Sequence, residues 1–189
     1  MNDIESLEVL NAIYHRRATR AYTSDPVSRE TISELIDAAI HAPSSMNRQE
    51  WAFVVVRGKE RLEAYSDEAK ARYRAQPGGL SPHAEALLAA HQNIFHGAPA
   101  LIVICATASD TQAAEDCSLA AENLMLAAVA KGYATCPIGF ARPWLATAET
   151  KRELGIPEAQ IPVFPLVIGT AAETPADHGR RAPVVTWIG

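Results

Sequence analysis

A cluster of three arginines lies near the start of the sequence: Arg16, Arg17 and Arg20. A phosphate dianion needs several directional donors, and guanidinium groups supply them as fork-shaped pairs. Arginines are also common at the end of a helix, where they interact with water and with the helix dipole. The cluster therefore indicates either a phosphate site or a solvated helix terminus, and the residue types alone do not separate the two.

A second polar segment stands between a predicted helix and a predicted strand. Its residues with hydrogen-bonding or turn-forming character are Pro43, Ser44, Ser45, Asn47 and Gln49. Hydroxyl and amide groups in such a loop can form hydrogen bonds along the edge of a planar heterocycle. The alternative is an ordinary polar connector, which has the same composition.

Two further segments have ambiguous chemistry. Pro137, Ile138 and Gly139 follow a short apolar run, and the glycine would let backbone N–H groups approach a ligand closely. A simple turn is the alternative. Near the end of the chain, Arg180 and Arg181 form either a phosphate clamp or part of a solvated tail.

Other kinds of site lack their sequence signatures. Neither GxGxxG nor GxxxxGK[ST] occurs, no metal-ligand spacing links the six histidines, and there is no nucleophile elbow. His91 and His96 are five residues apart, off the same helical face, and are expected on the surface. No acid–base pair is evident, so if the protein is an enzyme, a cofactor is expected to supply the reactive atom.

Composition limits the class of protein. A chain of 189 residues suits one domain, and a formal net charge of −5 argues against broad binding of nucleic acid. No apolar stretch is long enough to span a membrane, and no export signal opens the sequence. Three widely spaced cysteines do not form a disulfide framework, so a cytoplasmic location is expected.

Hydrophobic periodicity predicts helices interspersed with strands, in no regular βαβ repeat. The predicted helices are 4–15, 59–74, 113–131 and 144–154, together with one that is capped by Ser28 and ends near 40 and one that begins at Ser81-Pro82. The predicted strands are 51–57, 100–106, 133–137 and 164–170, with 184–188 as one possible addition. This order indicates an α+β fold with a small central sheet. The alanine-rich helix 113–131 is apolar almost all round, which indicates burial in the core or at a dimer interface.

The order of these segments resembles the nitroreductase family. The resemblance rests on RRxxR, on APSSMNRQ-x-W, on the alanine-rich helix running into Gly132 and PIG, on PLVIG, and on a final RAP. It covers nearly the whole chain apart from about 61–91. It implies a single flavin-binding domain with a mixed or antiparallel sheet wrapped by helices, and a variable lid at 61–91. It also implies a homodimer with the long helix and two FMN sites at the subunit interface.

The resemblance also implies roles for residues. Arg16, Arg17 and Arg20 would hold the FMN phosphate and ribityl chain, together with Arg181, and Ala18 replaces a common serine there. The partner chain would place Pro43, Ser44, Ser45, Asn47 and Gln49 along the flavin ring, while Pro137, Ile138 and Gly139 would pass beside it and direct a backbone N–H at flavin N5. Glu50 replaces a frequent proline and is expected on the surface.

The implied activity is hydride transfer from NADH or NADPH, through FMN, to a nitroaromatic, a quinone or a similar planar acceptor. Related families use the same flavin site for reductive dehalogenation, for ring oxidation or for flavin breakdown, so a specialised member is one alternative. A non-catalytic flavin-binding sensor is another, and a plain helical interaction domain without cofactor is a third.

Overall fold

The computed structural model describes residues 3–177 and 179–189, with side-chain surroundings from Val9 onward. Four strands and seven α-helices follow one another along the chain. They are α1 (Asp3–His15), α2 (Arg29–Ile40), β1 (Trp51–Arg57), α3 (Lys59–Arg74), α4 (Pro82–Ala90), β2 (Ala100–Ala106), α5 (Thr111–Ala130), β3 (Ala134–Pro137), α6 (Arg142–Leu145), α7 (Ala148–Leu154) and β4 (Ile161–Gly169). Short 3₁₀ turns lie at Ser45–Asn47 and Gly139–Ala141. The predicted α+β class is confirmed.

The four strands form one sheet in the order β1-β2-β4-β3, and every neighbouring pair is antiparallel. Every residue of β2 is buried because helices cover both faces of the sheet. Leu101, Val103 and Cys105 point into the core shared with α3 and α6. Ile102 and Ile104 point into the core shared with α2 and α5. This alternation is the period of two that an extended strand imposes.

Helix α5 lies across the second face of the sheet and packs against α2. Asp110 caps its first turn by accepting the N–H of Ala113, and Gly132 follows its end in the left-handed region, at φ 77°. Its inner face is buried, but Leu119 is 46% exposed. Burial is therefore one-sided in this chain, although the helix is apolar almost all round.

Three predicted elements differ from the structure by more than two residues or in kind. The predicted helix 144–154 is two helices, because α6 ends at Leu145 and Thr147 begins α7 as its cap by accepting the N–H of Thr150. Strand β4 begins three residues earlier than predicted, at Ile161, and a shift of register between Ile104 and Cys105 accommodates Pro162. Residues 184–188 form no strand, because they pair with no strand in the described part of the chain.

None of the helices in the described ranges has the length and apolar character that crossing a bilayer requires. The same residues contain no group of three or more histidine, cysteine, aspartate or glutamate side chains arranged to hold a metal ion.

Candidate functional site: two adjoining cavities

The arginine cluster leaves α1 and runs beside β3. Ala18 forms a parallel bridge with Thr135, and the N–H of Thr19 donates to the Thr135 carbonyl at 3.0 Å. The side chain of Thr19 is buried, whereas Arg16 and Arg17 are half-buried. Pairing with a core strand therefore fixes the backbone that carries the arginines, which a frayed helix end would not do.

These residues surround a cavity of about 340 Å³, which we name the arginine cavity. Its lining consists of Arg16, Arg17, Ala18, Thr19, Arg20, Glu173, Pro175, Ala176 and Arg180. All three arginines of the predicted cluster thus meet in one place. Four guanidinium groups around so small a volume make a site suited to a dianion.

Two carboxylates hold arginines of this cavity in position. Arg16 lies 3.5 Å from Glu122 on α5, and Arg17 lies 2.8 Å from Asp177. The Gly179 N–H, and after it Arg17, hold the pKa of Asp177 below its usual value. Each of these two carboxylates contacts one arginine of the group, and Arg17 also donates to the backbone carbonyls of Tyr14 and Arg16.

The second arginine pair is placed differently from the expectation. Both arginines are exposed, but Arg180 lines the arginine cavity and Arg181 does not. Arg181 was expected to hold the phosphate because it directly precedes Ala-Pro in the motif. Adjacent residues of an extended tail point in opposite directions, so one of the pair faces the cavity.

The loop between α2 and β1 has an unusual backbone. Met46, Asn47 and Gln49 all have φ between 52° and 56°, although none of them is glycine. Such residues are uncommon in the left-handed region, and clusters of them occur where a structure holds a loop for function. The side chain of Ser44 accepts the N–H of Gln49 at 3.1 Å, and the Gln49 amide donates to the Asn47 side chain at 3.0 Å.

Acidic residues outside the predicted motif hold this loop. The buried carboxylate of Asp116 on α5 accepts the N–H of Ser45. Arg48 donates to both carboxylate oxygens of Asp110 and lies 3.0 Å from Glu50. The surface position expected for Glu50 is wrong, because its carboxylate is half-buried in this ion pair.

The loop does not reach either cavity within one chain. Pro43, Asn47 and Gln49 are exposed, and Ser44 and Ser45 are half-buried against their own loop and α5. The structure thus brings together the arginines and the Pro137–Gly139 segment, and leaves the serine-rich loop apart from them.

A second and larger cavity adjoins the first and shares Arg20 with it. It has a volume of about 780 Å³, and we name it the histidine cavity. Its lining consists of Arg20, Tyr73, Gln76, Leu87, His91, Ile94, His96, Cys136, Pro137, Ile138, Gly139, Phe140, Arg142 and Pro143. The predicted Pro137–Gly139 segment forms one wall, while α3 and α4, from the predicted lid, form another. That size is ordinary for a site that takes a small organic ligand.

Two histidines line this cavity, although both were predicted to lie on the surface. The rings of His91 and His96 are half-buried and lie 4.9 Å apart, nearly perpendicular to each other. The backbone of His96 is in the left-handed region, at φ 57°, which turns the chain so that residues five apart meet. Burial first, then His91 and Arg20, lower the pKa of His96 to about 4.

Sequence reasoning missed these histidines, and with them the aromatic and polar lining from Tyr73, Gln76 and Arg142. Helical periodicity carried no signal for them, because the histidines meet through an irregular turn.

The three cysteines are buried thiols, and burial raises the pKa of Cys105 to about 11 and that of Cys117 to about 12. They are therefore unsuited to act as nucleophiles.

Comparison with known proteins agrees with this architecture. A sequence model of the nitroreductase family matches residues 13–170. A putative NADH dehydrogenase/NAD(P)H nitroreductase from Archaeoglobus fulgidus is 34% identical over 166 residues, which are 85% of this chain and 83% of that protein.

Solved structures give the same result. A nitroreductase with bound FMN from Desulfitobacterium hafniense superimposes with a TM-score of 0.85 at 27% identity, with both chains fully covered. An FMN and NADPH-dependent nitroreductase from Sphigopyxis sp. has a TM-score of 0.74 at 26% identity, covering 96% of this chain and 99% of that one. The resemblance seen in the order of the motifs is thereby confirmed, and the chain belongs to the nitroreductase family.

Proposed function

We propose that this chain is an FMN-dependent oxidoreductase that transfers hydride from NADH or NADPH to a nitroaromatic, a quinone or a similar planar acceptor. The observation that carries the proposal is that the arginine cavity and the histidine cavity adjoin, with Arg20 lining both. A phosphate site beside a larger, partly apolar cavity fits a phosphorylated flavin. FMN, when bound, supplies the atom that accepts and then gives up hydride.

The residues of the arginine cavity fit the phosphate end. Arg16 and Arg17 are each oriented by one carboxylate, and Arg20 and Arg180 have no carboxylate within 4 Å in the described part of the chain. A dianion therefore meets two preoriented arginines and two with no carboxylate in contact, although the acidic residue Glu173 also lines the cavity. Ala18 lacks a hydroxyl, so the arginines and backbone groups carry the phosphate here.

The segment Pro137–Gly139 fits the ring end. Ile138 donates its N–H to the Pro165 carbonyl at 2.9 Å, which fixes the segment to β4. Gly139 begins a 3₁₀ turn, which does not use the N–H of its first residue. Nothing lies within 4 Å of the position that a Gly139 Cβ would take, so there is open space beside the Cα of this glycine.

We further propose a homodimer in which the partner chain supplies Pro43, Ser44, Ser45, Asn47 and Gln49. One chain exposes 11277 Å², whereas a monomeric protein of 20.4 kDa exposes about 8,800 Å². Large apolar side chains on α1, α5 and the tail account for part of the excess: Val9, Leu10, Ile13, Tyr14, Leu119, Val184, Val185, Trp187 and Ile188. Apolar exposure on that scale favours a partner that covers it.

The test is flavin binding by the purified protein. The expected result is a yellow protein that binds FMN, bleaches rapidly when NADPH or NADH is added without oxygen, and has the mass of a dimer by light scattering. Arg16→Gln is expected to raise the Kd for FMN at least about tenfold, from the loss of a charge-assisted hydrogen bond. Arg152→Gln, an exposed arginine outside both cavities, is the matched control.

Three results would contradict the proposal or part of it. A colourless protein that takes up no FMN on titration excludes the flavin site. A flavin that binds but is not bleached by either nicotinamide favours the non-catalytic sensor. If the flavin is bleached and no quinone or nitroaromatic reoxidises it, a specialised acceptor is favoured.

A further inference from the structure

The histidine cavity has an unusual distribution of charge for this protein. Its lining includes two arginines and two histidines, and no aspartate or glutamate among the described residues. The whole chain has the opposite balance, with a formal net charge of −5. A cavity whose walls concentrate one sign of charge attracts the other sign more strongly than an open surface does.

Arg142 is the arginine of this cavity that the flavin proposal does not use. It follows Gly139 by three residues, at the point where the 3₁₀ turn becomes α6. Within the described part of the chain its guanidinium has no carboxylate within 4 Å, and it is exposed at the cavity wall. By contrast, Arg48 and Arg74 each form ion pairs that hold the fold together.

The rest of the wall suits an aromatic ring. Tyr73 and Phe140 meet edge to face, with ring centroids 4.8 Å apart, and Leu87 and Ile94 add aliphatic surface. Aromatic pairs of this geometry present apolar faces and edges to a planar ligand. Gln76 contributes a neutral amide to the same wall.

We propose that the part of the histidine cavity beside Arg142, beyond the flavin ring, binds an aromatic acceptor that carries a carboxylate, and that Arg142 binds this carboxylate. The inference rests on the proposed function, because it names the class of acceptor that the flavin would reduce. For a nitroaromatic acid, one turnover oxidises one NAD(P)H, takes up one proton, converts the nitro group to a nitroso group and releases one water.

The two histidines complete the recognition. A neutral imidazole donates one N–H, so His91 and His96 can donate to a carboxylate or to a polar substituent of the acceptor. Burial, His91 and Arg20 together keep the pKa of His96 low. A carboxylate that enters the cavity opposes this effect, because an opposite charge favours the protonated imidazole.

The experiment compares 4-nitrobenzoate with its neutral methyl ester as acceptors for the FMN-loaded protein. For wild type, kcat/KM is expected to be higher for the acid. In Arg142→Gln, the ratio of kcat/KM for acid over ester is expected to fall at least about tenfold, mainly through the KM of the acid, since one charge-assisted hydrogen-bonding group is lost. Arg152→Gln removes the same charge elsewhere and is expected to keep the wild-type ratio.

Equilibrium binding of benzoate, measured by calorimetry without turnover, supplies a second readout. The affinity is expected to fall in Arg142→Gln by a factor similar to the kinetic ratio, and Arg142→Lys is expected to restore part of it.

The outcomes separate this inference from the proposed function. Equal kcat/KM for acid and ester, unchanged by Arg142→Gln, overturns the inference while the flavin enzyme stands. A selective rise in the KM for NADPH but not NADH in Arg142→Gln, with the acid-to-ester ratio unchanged, assigns Arg142 to the nicotinamide nucleotide and also overturns it. If neither probe is reduced and no flavin binds, the proposed function fails and the acceptor inference fails with it, and benzoate binding then tests only whether Arg142 holds a carboxylate.

Discussion

The carboxylate of Asp116 accepts the backbone N–H of Ser45 with both of its oxygens, at 3.2 and 3.0 Å. The two residues are 71 positions apart, and Asp116 is only 4% exposed. This contact ties α5 to the loop in which Met46 and Asn47 have left-handed backbones. A loop that contains such residues keeps its shape only where its surroundings determine it.

Replacing Asp116 by alanine is therefore expected to loosen the loop and destabilise the protein. Loss of the acceptor leaves a half-buried N–H without a partner, which costs about 1–3 kcal/mol in the free energy of unfolding. The Kd for FMN is expected to rise, because Ser44 and Ser45 lose their fixed positions. Urea denaturation and FMN titration measure the two effects.

Asp116→Asn retains a carbonyl oxygen as acceptor. Its free energy of unfolding and its affinity for FMN are expected to lie between those of Asp116→Ala and wild type. Asp37→Ala is the control, since Asp37 lies exposed on α2. Within the described residues its only ion-pair partner is the exposed His41, whose Nε2 is 3.9 Å from the carboxylate. Wild-type FMN affinity in Asp116→Ala would show that α5 does not hold the loop for flavin binding.

Asp110 is expected to make the protein sensitive to acid. Hydrogen bonding from Arg48, and then from the Ala113 N–H, lowers the pKa of Asp110 in the folded state. A lowered folded pKa means that the stabilisation is present above the ordinary aspartate pKa and is lost as the pH falls through the folded pKa. The loss is thus confined to acid, below the ordinary pKa of about 4.

Asp110→Asn separates the ion pair from the helix cap, because asparagine also caps helices well. Thermal unfolding of both proteins between pH 7 and pH 2.5 is the measurement. The variant is expected to be less stable at neutral pH, with the difference shrinking towards pH 2.5. A difference that does not depend on pH would assign the effect to the cap.

His96 is expected to stay neutral at physiological pH and to contribute a second pH dependence. Its folded pKa of about 4 lies below the ordinary value of 6.5. The stabilisation is therefore complete above pH 6.5 and is lost as the pH falls from 6.5 through about 4. NMR titration of the imidazole reports the pKa directly.

His96→Gln is expected to flatten this part of the stability profile. His83, which is exposed at the start of α4, is the control position for the same substitution. A His96 resonance that titrates near 6.5 would contradict the burial on which the prediction depends.

Local patterns predicted most of the fold, and long-range contacts account for what they missed. The uninterrupted apolar run of β2 and the amphipathic pattern of α2 were readable because both are local patterns. The serine-rich loop was recognisable as a motif, but its anchor Asp116 was not, because their contact joins distant segments. His91 and His96 were misplaced for a related reason, since an irregular turn brings them together. Prolines in β4 obscured its start, as proline is usually a signal against a strand.

Gly169, at the end of β4, is expected to tolerate no side chain. A Cβ at this position would lie 2.7 Å from Cδ of Pro99 and 2.9 Å from Cδ1 of Tyr22. Tyr22 belongs to the segment that continues from the arginine cluster, and it pairs with Ala171 just beyond β4. Gly169→Ala is therefore expected to push this segment away from the sheet and lower the free energy of unfolding by about 1–3 kcal/mol, as overpacking of a core does. Gly189→Ala, at a position with nothing within 4 Å, is the control for urea denaturation. FMN affinity is expected to fall in Gly169→Ala as well, because the backbone that carries Arg16, Arg17 and Arg20 moves with Tyr22. An unchanged affinity in a destabilised variant would show that the arginine cavity does not depend on this contact.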